Sequence, residues 1–273
     1  MQVQDYTWRM TYQLENVTIC RNGQLVLKEL SMTLPSARVT GLIGPNGVGK
    51  STLLAALAGD LKIDQGQISL HHNRVDRLSP EALALGRAIM SQQASAIFNL
   101  TVRQVLELGL HAFAHWRSAD RTALVNEVAH RTEVQAWLER SITMLSIGQQ
   151  QRVHFARTLV QAIAAQKEHG RMWLLLDEPT ANQDPWHQQM MMSVCHSLTT
   201  EHSAGVVMVM HDLTLAAQWC DDIVVLKDQG VIAHGPAKDV LTPKLVKHTY
   251  GDALDVEVLW SPLPGVILSK RQR

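Results

Sequence analysis

Apolar and polar positions alternate over residues 14–19, Arg21-Asn22-Gly23 supplies a turn, and a second strand-like pattern fills residues 25–34. Residues 39–43 form an unbroken apolar run of strand length that ends at a glycine-rich loop. Residues 51–57 then place Leu53, Leu54 and Leu57 on one helical face. From about residue 94 to 144 the strand period disappears and helix-length segments replace it, most clearly at 102–110 and 121–131. Beyond them the pattern predicts a helix from Gln149 to about Ala165, a strand at 172–176, a helix from Trp186 and a strand at 205–210. Helices alternating with fully apolar strands predict a largely parallel sheet covered on both faces. Residues 255–260 and 266–268 flank Ser-Pro-Leu-Pro-Gly and read as a small terminal hairpin.

The expected organisation is one α/β domain. Its core spans about 12–93 and 145–245, a helical insertion occupies about 94–144, and the hairpin lies at about 250–273. A chain of 273 residues is long enough for such a domain. With 46% hydrophobic and 18% charged residues it is neither disordered nor polar throughout. Formal net charge is zero, so the basic field expected of a nucleic-acid partner is missing. Cys20, Cys195 and Cys220 are scattered, which gives neither a disulfide framework nor a zinc site. The thirteen histidines match no metal-ligand spacing. No stretch approaches the ~20 apolar residues that cross a bilayer, and the first ten residues carry no signal-peptide pattern. Any action at a membrane therefore calls for another chain.

The chemistry begins at Gly44-Pro45-Asn46-Gly47-Val48-Gly49-Lys50-Ser51, a complete G-x-x-x-x-G-K-[ST] phosphate loop continued by Thr52. Gly44, Gly47 and Gly49 allow backbone turns that a Cβ would block, so successive N–H groups can converge on phosphates at a helix N-terminus. Lys50 is placed to reach the β- and γ-phosphates of ATP, and Ser51 to put its hydroxyl on Mg²⁺. A second strand, Met172-Trp-Leu-Leu-Leu-Asp177-Glu178, ends in two carboxylates at the same sheet edge. Asp177 suits a hard cation, and Glu178 beside it suits a general base acting on water.

With these motifs the chain resembles the ABC-transporter ATPase family over nearly its whole length. Five further elements follow in family order: Gln92 at the glutamine loop, Leu145-Ser146-Ile147-Gly148-Gln149 at the signature, Asp177-Glu178-Pro179-Thr180 at the acidic strand end, Asn182-Gln183-Asp184 at the D-loop, and His211 at the switch histidine. The resemblance implies a P-loop NTPase core of the ABC cassette type, with an N-terminal antiparallel β subdomain and an inserted α-helical subdomain. It implies a homodimer that sandwiches two Mg-ATP molecules. Ser146, Gly148 and Gln149 of one copy, with Asp184 of the D-loop, then meet nucleotide held by the other copy's phosphate loop. His211 contacts the γ-phosphate and orients water with Glu178, while Gln92 touches Mg²⁺ or that water. Two integral-membrane permease subunits, an indirect periplasmic substrate-binding protein and a position on the cytoplasmic face of the inner membrane follow from the same likeness.

Three positions depart from the family pattern. Ile147 replaces the first signature glycine, Ala181 stands where a serine is common, and Arg21 occupies the place of the adenine-stacking aromatic. A guanidinium can stack on a base, and it can equally be a solvated turn residue. Among family branches the chain is most similar to haem-importer ATPases. The local carriers are Arg87-Ala88-Ile89-Met90 through Arg103, Gln149-Gln150-Gln151-Arg152-Val153, the long spacer before Arg171, and His187-Gln188. Ferric siderophore or cobalamin import is the alternative cargo. A soluble ABC ATPase acting on ribosomes or DNA, and a non-hydrolysing cassette, are the alternatives of other kinds.

Overall fold

A computed structural model describes residues 11–91, 99–261 and 263–270. Two antiparallel strands open the chain, β1 (Thr11–Arg21) and β2 (Gln24–Pro35). Asn22 and Gly23 join them with φ of 52° and 75°, the left-handed pair that a tight hairpin matched to strand twist requires. The alternation in β1 does not run straight through. A register shift between Leu14 and Val17 resets the phase, and so both residues are buried although they are an odd number of positions apart.

The chain continues through β3 (Arg38–Ile43), α1 (Lys50–Ala58), β4 (Gln65–Leu70), β5 (Asn73–Arg74), α2 (Pro80–Gly86) and β6 (Arg87–Met90). Strands β4 and β5 complete a four-stranded antiparallel sheet of order β2-β1-β4-β5. Helix α2 has no counterpart in the expectations above, although Ser79 caps it and Pro80 occupies its first turn. The helical stretch follows, with α3 (Val102–Leu108), α4 (Ser118–Arg131) and α5 (Ile147–His169). Helix α3 stops two residues before the predicted end. Gly109 there lies so close to α5 that a Cβ would sit 2.5 Å from the Arg157 carbonyl oxygen. Helix α5 is longer than predicted at both ends, from its cap at Ser146 to Gly170 with φ of 66°.

The second half comprises β7 (Trp173–Asp177), α6 (Pro185–His202), β8 (Gly205–Val209), α7 (Leu213–Trp219), β9 (Asp222–Lys227), β10 (Gly230–Pro236), α8 (Ala237–Val240), α9 (Pro243–Tyr250), β11 (Leu254–Leu259) and β12 (Gly265–Lys270). Strands β11 and β12 pair antiparallel as a separate ribbon. The main sheet has the order β10-β9-β3-β8-β7-β6, parallel throughout except for the β10 edge. All five residues of β7 and of β8 are buried, as a parallel sheet covered on both faces demands. Period-two alternation divides them between two cores. Leu174 and Leu176 pack with the helical stretch, whereas Trp173 and Leu175 pack with α1 and the antiparallel sheet. Gly205 makes room for the Trp173 ring, which a Cβ there would penetrate.

Because β3, β8 and β7 are parallel neighbours, their carboxyl ends share one edge. The phosphate loop leaves β3, Asp177 ends β7, and His211 lies two residues beyond β8. Strand order alone brings these distant segments together.

Candidate nucleotide site

The phosphate loop folds around Lys50. Gly44, Gly47 and Gly49 adopt φ of 145°, 76° and 106°, which side chains rarely tolerate. At Gly49 a Cβ would also come within 2.9 Å of Val26, so β2 closes one wall of the loop. The Lys50 ammonium donates to the carbonyl oxygens of Gly44 at 2.7 Å and Pro45 at 3.0 Å. Burial holds its pKa below the ordinary lysine value, against the opposing pull of the Glu178 and Asp177 carboxylates.

The acidic strand end meets the loop directly. Ser51 Oγ donates to Asp177 Oδ1 at 3.0 Å. Burial pushes the Asp177 carboxyl up, and the Ser51 hydrogen bond partly offsets this. These hard oxygen donors fit a small divalent cation that takes its other ligands from phosphate and water. Among the described residues no group of three or more His, Cys, Asp or Glu could hold a metal. One residue on, Glu178 adopts φ of 50°, and its Oε1 lies 2.6 Å from His211 Nε2. Gln151 of α5 fixes that turn by donating to the Glu178 carbonyl oxygen at 2.8 Å.

Val26, Asn46, Gly47, Gly49, Lys50, Ser51, Thr52, Glu178 and His211 line one cleft of about 670 Å³. The structure therefore gathers the predicted loop, Glu178 and His211 into a single cavity. It can hold an anion with backbone N–H groups and one ammonium, and orient a water molecule between a carboxylate and an imidazole. Arg21 ends β1 as an exposed residue, and the wall near the loop is formed by Val26 instead. Gln92 lies outside the described residues.

The signature residues are elsewhere. Ser146 and Gln149 form a reciprocal capping box: Gln149 N donates to Ser146 Oγ at 3.3 Å, and Ser146 N to Gln149 Oε1 at 3.0 Å. Gly148 packs against the D-loop so tightly that a Cβ would sit 2.5 Å from Asn182 O, and Gln183 donates to the Gly148 carbonyl oxygen at 2.8 Å. Asp184 caps α6 and pairs with His187 Nδ1 at 2.6 Å. Ala181 lies in the turn after Glu178, its N–H donating to the Glu178 carbonyl oxygen. Ile147, the departure from glycine, is 73% exposed beside Met144 at 81%. None of these residues lines the cleft of its own chain. Sequence reasoning missed Val26, Gln151 and Gln183, whose roles depend on tertiary neighbours; only the glutamines' place within recognised motifs marked them.

A family model for the ABC transporter matches residues 27–181. The chain is 40% identical over 260 residues to the hemin import ATP-binding protein HmuV of Bordetella pertussis, covering 95% of this chain and 98% of that protein. It is 37% identical to the protein of the same name from Rhodococcus jostii, covering 95% and 85%. A metal-chelate type ABC transporter solved in an inward-facing conformation shares the fold, with a TM-score of 0.76, 20% identity, and coverage of 96% and 98%. No helix among the described residues is long and apolar enough to cross a membrane. With a phosphate loop, Glu178 and His211 meeting in one cleft, and with relatives that match over most of the chain, the chain belongs to the ABC transporter family as an ATP-hydrolysing, ATP-binding subunit.

Proposed function

We propose that this subunit powers hemin import, acting as a homodimer on the cytoplasmic face of the plasma membrane beneath two permease subunits fed by a periplasmic binding protein. The observation that carries the catalytic part is the 2.6 Å contact between Glu178 Oε1 and His211 Nε2 at the rim of the phosphate cleft. Glu178 is the general base that takes a proton from the attacking water, and His211 holds that water and the γ-phosphate in line. Lys50 and the loop N–H groups bind the β- and γ-phosphates. Ser51 and Asp177, with Gln92, would hold Mg²⁺, which neutralises phosphate charge when bound. Ser146 and Gly148 of the second copy close the cleft, using a helix N-terminus as an anion site.

Hemin is favoured over siderophore or cobalamin by the near-full-length identity to HmuV relatives. The segment 99–101, at the start of α3, is the proposed contact with the permease. Thr101 there caps the helix, and Asn99 accepts from Ser141. Reconstituting the subunit with its permease in liposomes tests the reading. Hemin uptake should require ATP and vanish with Glu178→Gln, whereas uptake of a ferric siderophore but not hemin would overturn the cargo.

A further inference from the structure

The first phosphate-loop residue is gripped from the far end of the chain. Gly44 N donates to the Tyr250 hydroxyl at 3.0 Å across a separation of 206 residues. The other half of the same residue, its carbonyl oxygen, accepts from the Lys50 ammonium at 2.7 Å. Gly44 also presses on β9 so closely that a Cβ would collide with the Leu226 carbonyl oxygen. The loop therefore starts from a residue fixed on three sides: by β9, by Lys50, and by the last residue of α9.

Helix α9 is itself anchored. Lys227 Nζ, at the end of β9, donates to the His248 carbonyl oxygen at 2.6 Å. Lys247 reaches Asp255 of the terminal ribbon at 3.6 Å. Thr249 is buried next to Tyr250 and bonds back to the Leu245 carbonyl oxygen at 2.7 Å. Burial raises the Tyr250 phenol to about 12, so at neutral pH it is uncharged and adds no anion beside a loop built to receive phosphate.

We propose that Tyr250 is a positioning residue for nucleotide binding: its hydroxyl holds Gly44, and through it the loop and Lys50, in the phosphate-receiving conformation. This rests on the reading of residues 44–52 as the ATP phosphate site. A neutral hydrogen bond that favours one loop conformation shifts the binding-competent fraction, and apparent affinity changes in proportion. Saturating nucleotide refills that conformation, so the turnover rate at saturation stays constant while KM moves.

The test compares Tyr250→Phe with Thr249→Val, which removes a neighbouring hydrogen bond of α9 that does not touch the loop. For each purified full-length variant, KM and kcat for Mg-ATP, nucleotide affinity by fluorescent-ATP binding, and Tm are measured. Tyr250→Phe is expected to raise KM and Kd about 3- to 10-fold with kcat within twofold. Thr249→Val should lower Tm and leave KM unchanged. An unaltered KM in Tyr250→Phe overturns the proposal, and so does an equal KM rise in both variants, which would mark general loosening of α9. Lys50→Ala separates this from the underlying reading: if it binds nucleotide normally, the phosphate site itself is misplaced and the proposal falls with it. If Lys50→Ala loses binding while Tyr250→Phe keeps a normal KM, the proposal alone is wrong.

Discussion

The phosphate edge and the signature edge of this chain contain equally recognisable motifs, yet they are built in opposite ways. At the phosphate edge the candidate site side chains already bond to groups of the same chain. Lys50 bonds to Gly44 and Pro45, Ser51 to Asp177, and Glu178 to His211. At the signature edge Ser146 and Gln149 spend their hydrogen bonds on capping α5, and their neighbours Ile147 and Met144 project into solvent. Two large apolar side chains exposed three residues apart at a helix N-terminus are the kind of surface that a partner can cover. One edge makes its contacts within its own chain, and the other leaves apolar surface that the second copy of the proposed dimer would cover.

The contrast predicts different failures. At the phosphate edge, Glu178→Gln removes the proposed base but keeps the shape of the cleft. Hydrolysis should fall by about 10²- to 10⁴-fold while ATP binding persists and a nucleotide-trapped dimer accumulates on size exclusion. A variant that hydrolyses at the wild-type rate would strip Glu178 of its role. At the signature edge, Gly148→Ala drives a Cβ to 2.5 Å from Asn182 O. The backbone must shift there, at a cost of about 1–3 kcal/mol. We expect a Tm lower by several degrees and slower hydrolysis with monomer ATP affinity unchanged. Unchanged Tm would mean that the D-loop and α5 are not packed as described.

The smallest effect concerns chemistry away from both edges. Cys195 and Cys220 are buried and Cys20 is partly exposed, all three as free thiols. Burial pushes the Cys195 thiol up to about 12 and raises Cys220 as well, so neither forms thiolate near neutral pH. A thiol reagent at pH 8 should label one site per native chain, at Cys20, without loss of activity. Labelling of all three in native protein would contradict the packing around α6 and α7.

The sequence made some of this legible and hid the rest for physical reasons. Strands β7 and β8 were visible because burial on both faces leaves unbroken apolar runs. The phosphate loop and the Asp177-Glu178 pair stand out because such chemistry uses fixed residue types at strand ends, whereas His211 is singled out only by the family resemblance. The bulge in β1 shows in the sequence only as the consecutive polar residues Glu15 and Asn16, a single break in the alternation that does not by itself mark a register shift. Helix α2 is only seven residues long and gave no periodic signal despite its cap. The Tyr250 contact with Gly44 could not be read from spacing at all, because only the folded chain brings residues 206 apart together. The start of helix α5 is legible in Ser146-x-x-Gln149, a capping box that sets the first helical residue at Ile147 rather than at Gln149.

In the proposed dimer each nucleotide is enclosed by the phosphate edge of one copy and the signature edge of another. Mixing two inactive variants tests it most directly: Lys50→Ala, which spoils the phosphate edge, and Ser146→Arg, which spoils the signature edge. A heterodimer of the two has one site with both edges intact, so the mixture should hydrolyse ATP well above either variant alone, with a rate that rises with total protein concentration. Activity no greater than the average of the two separate preparations would contradict the claim.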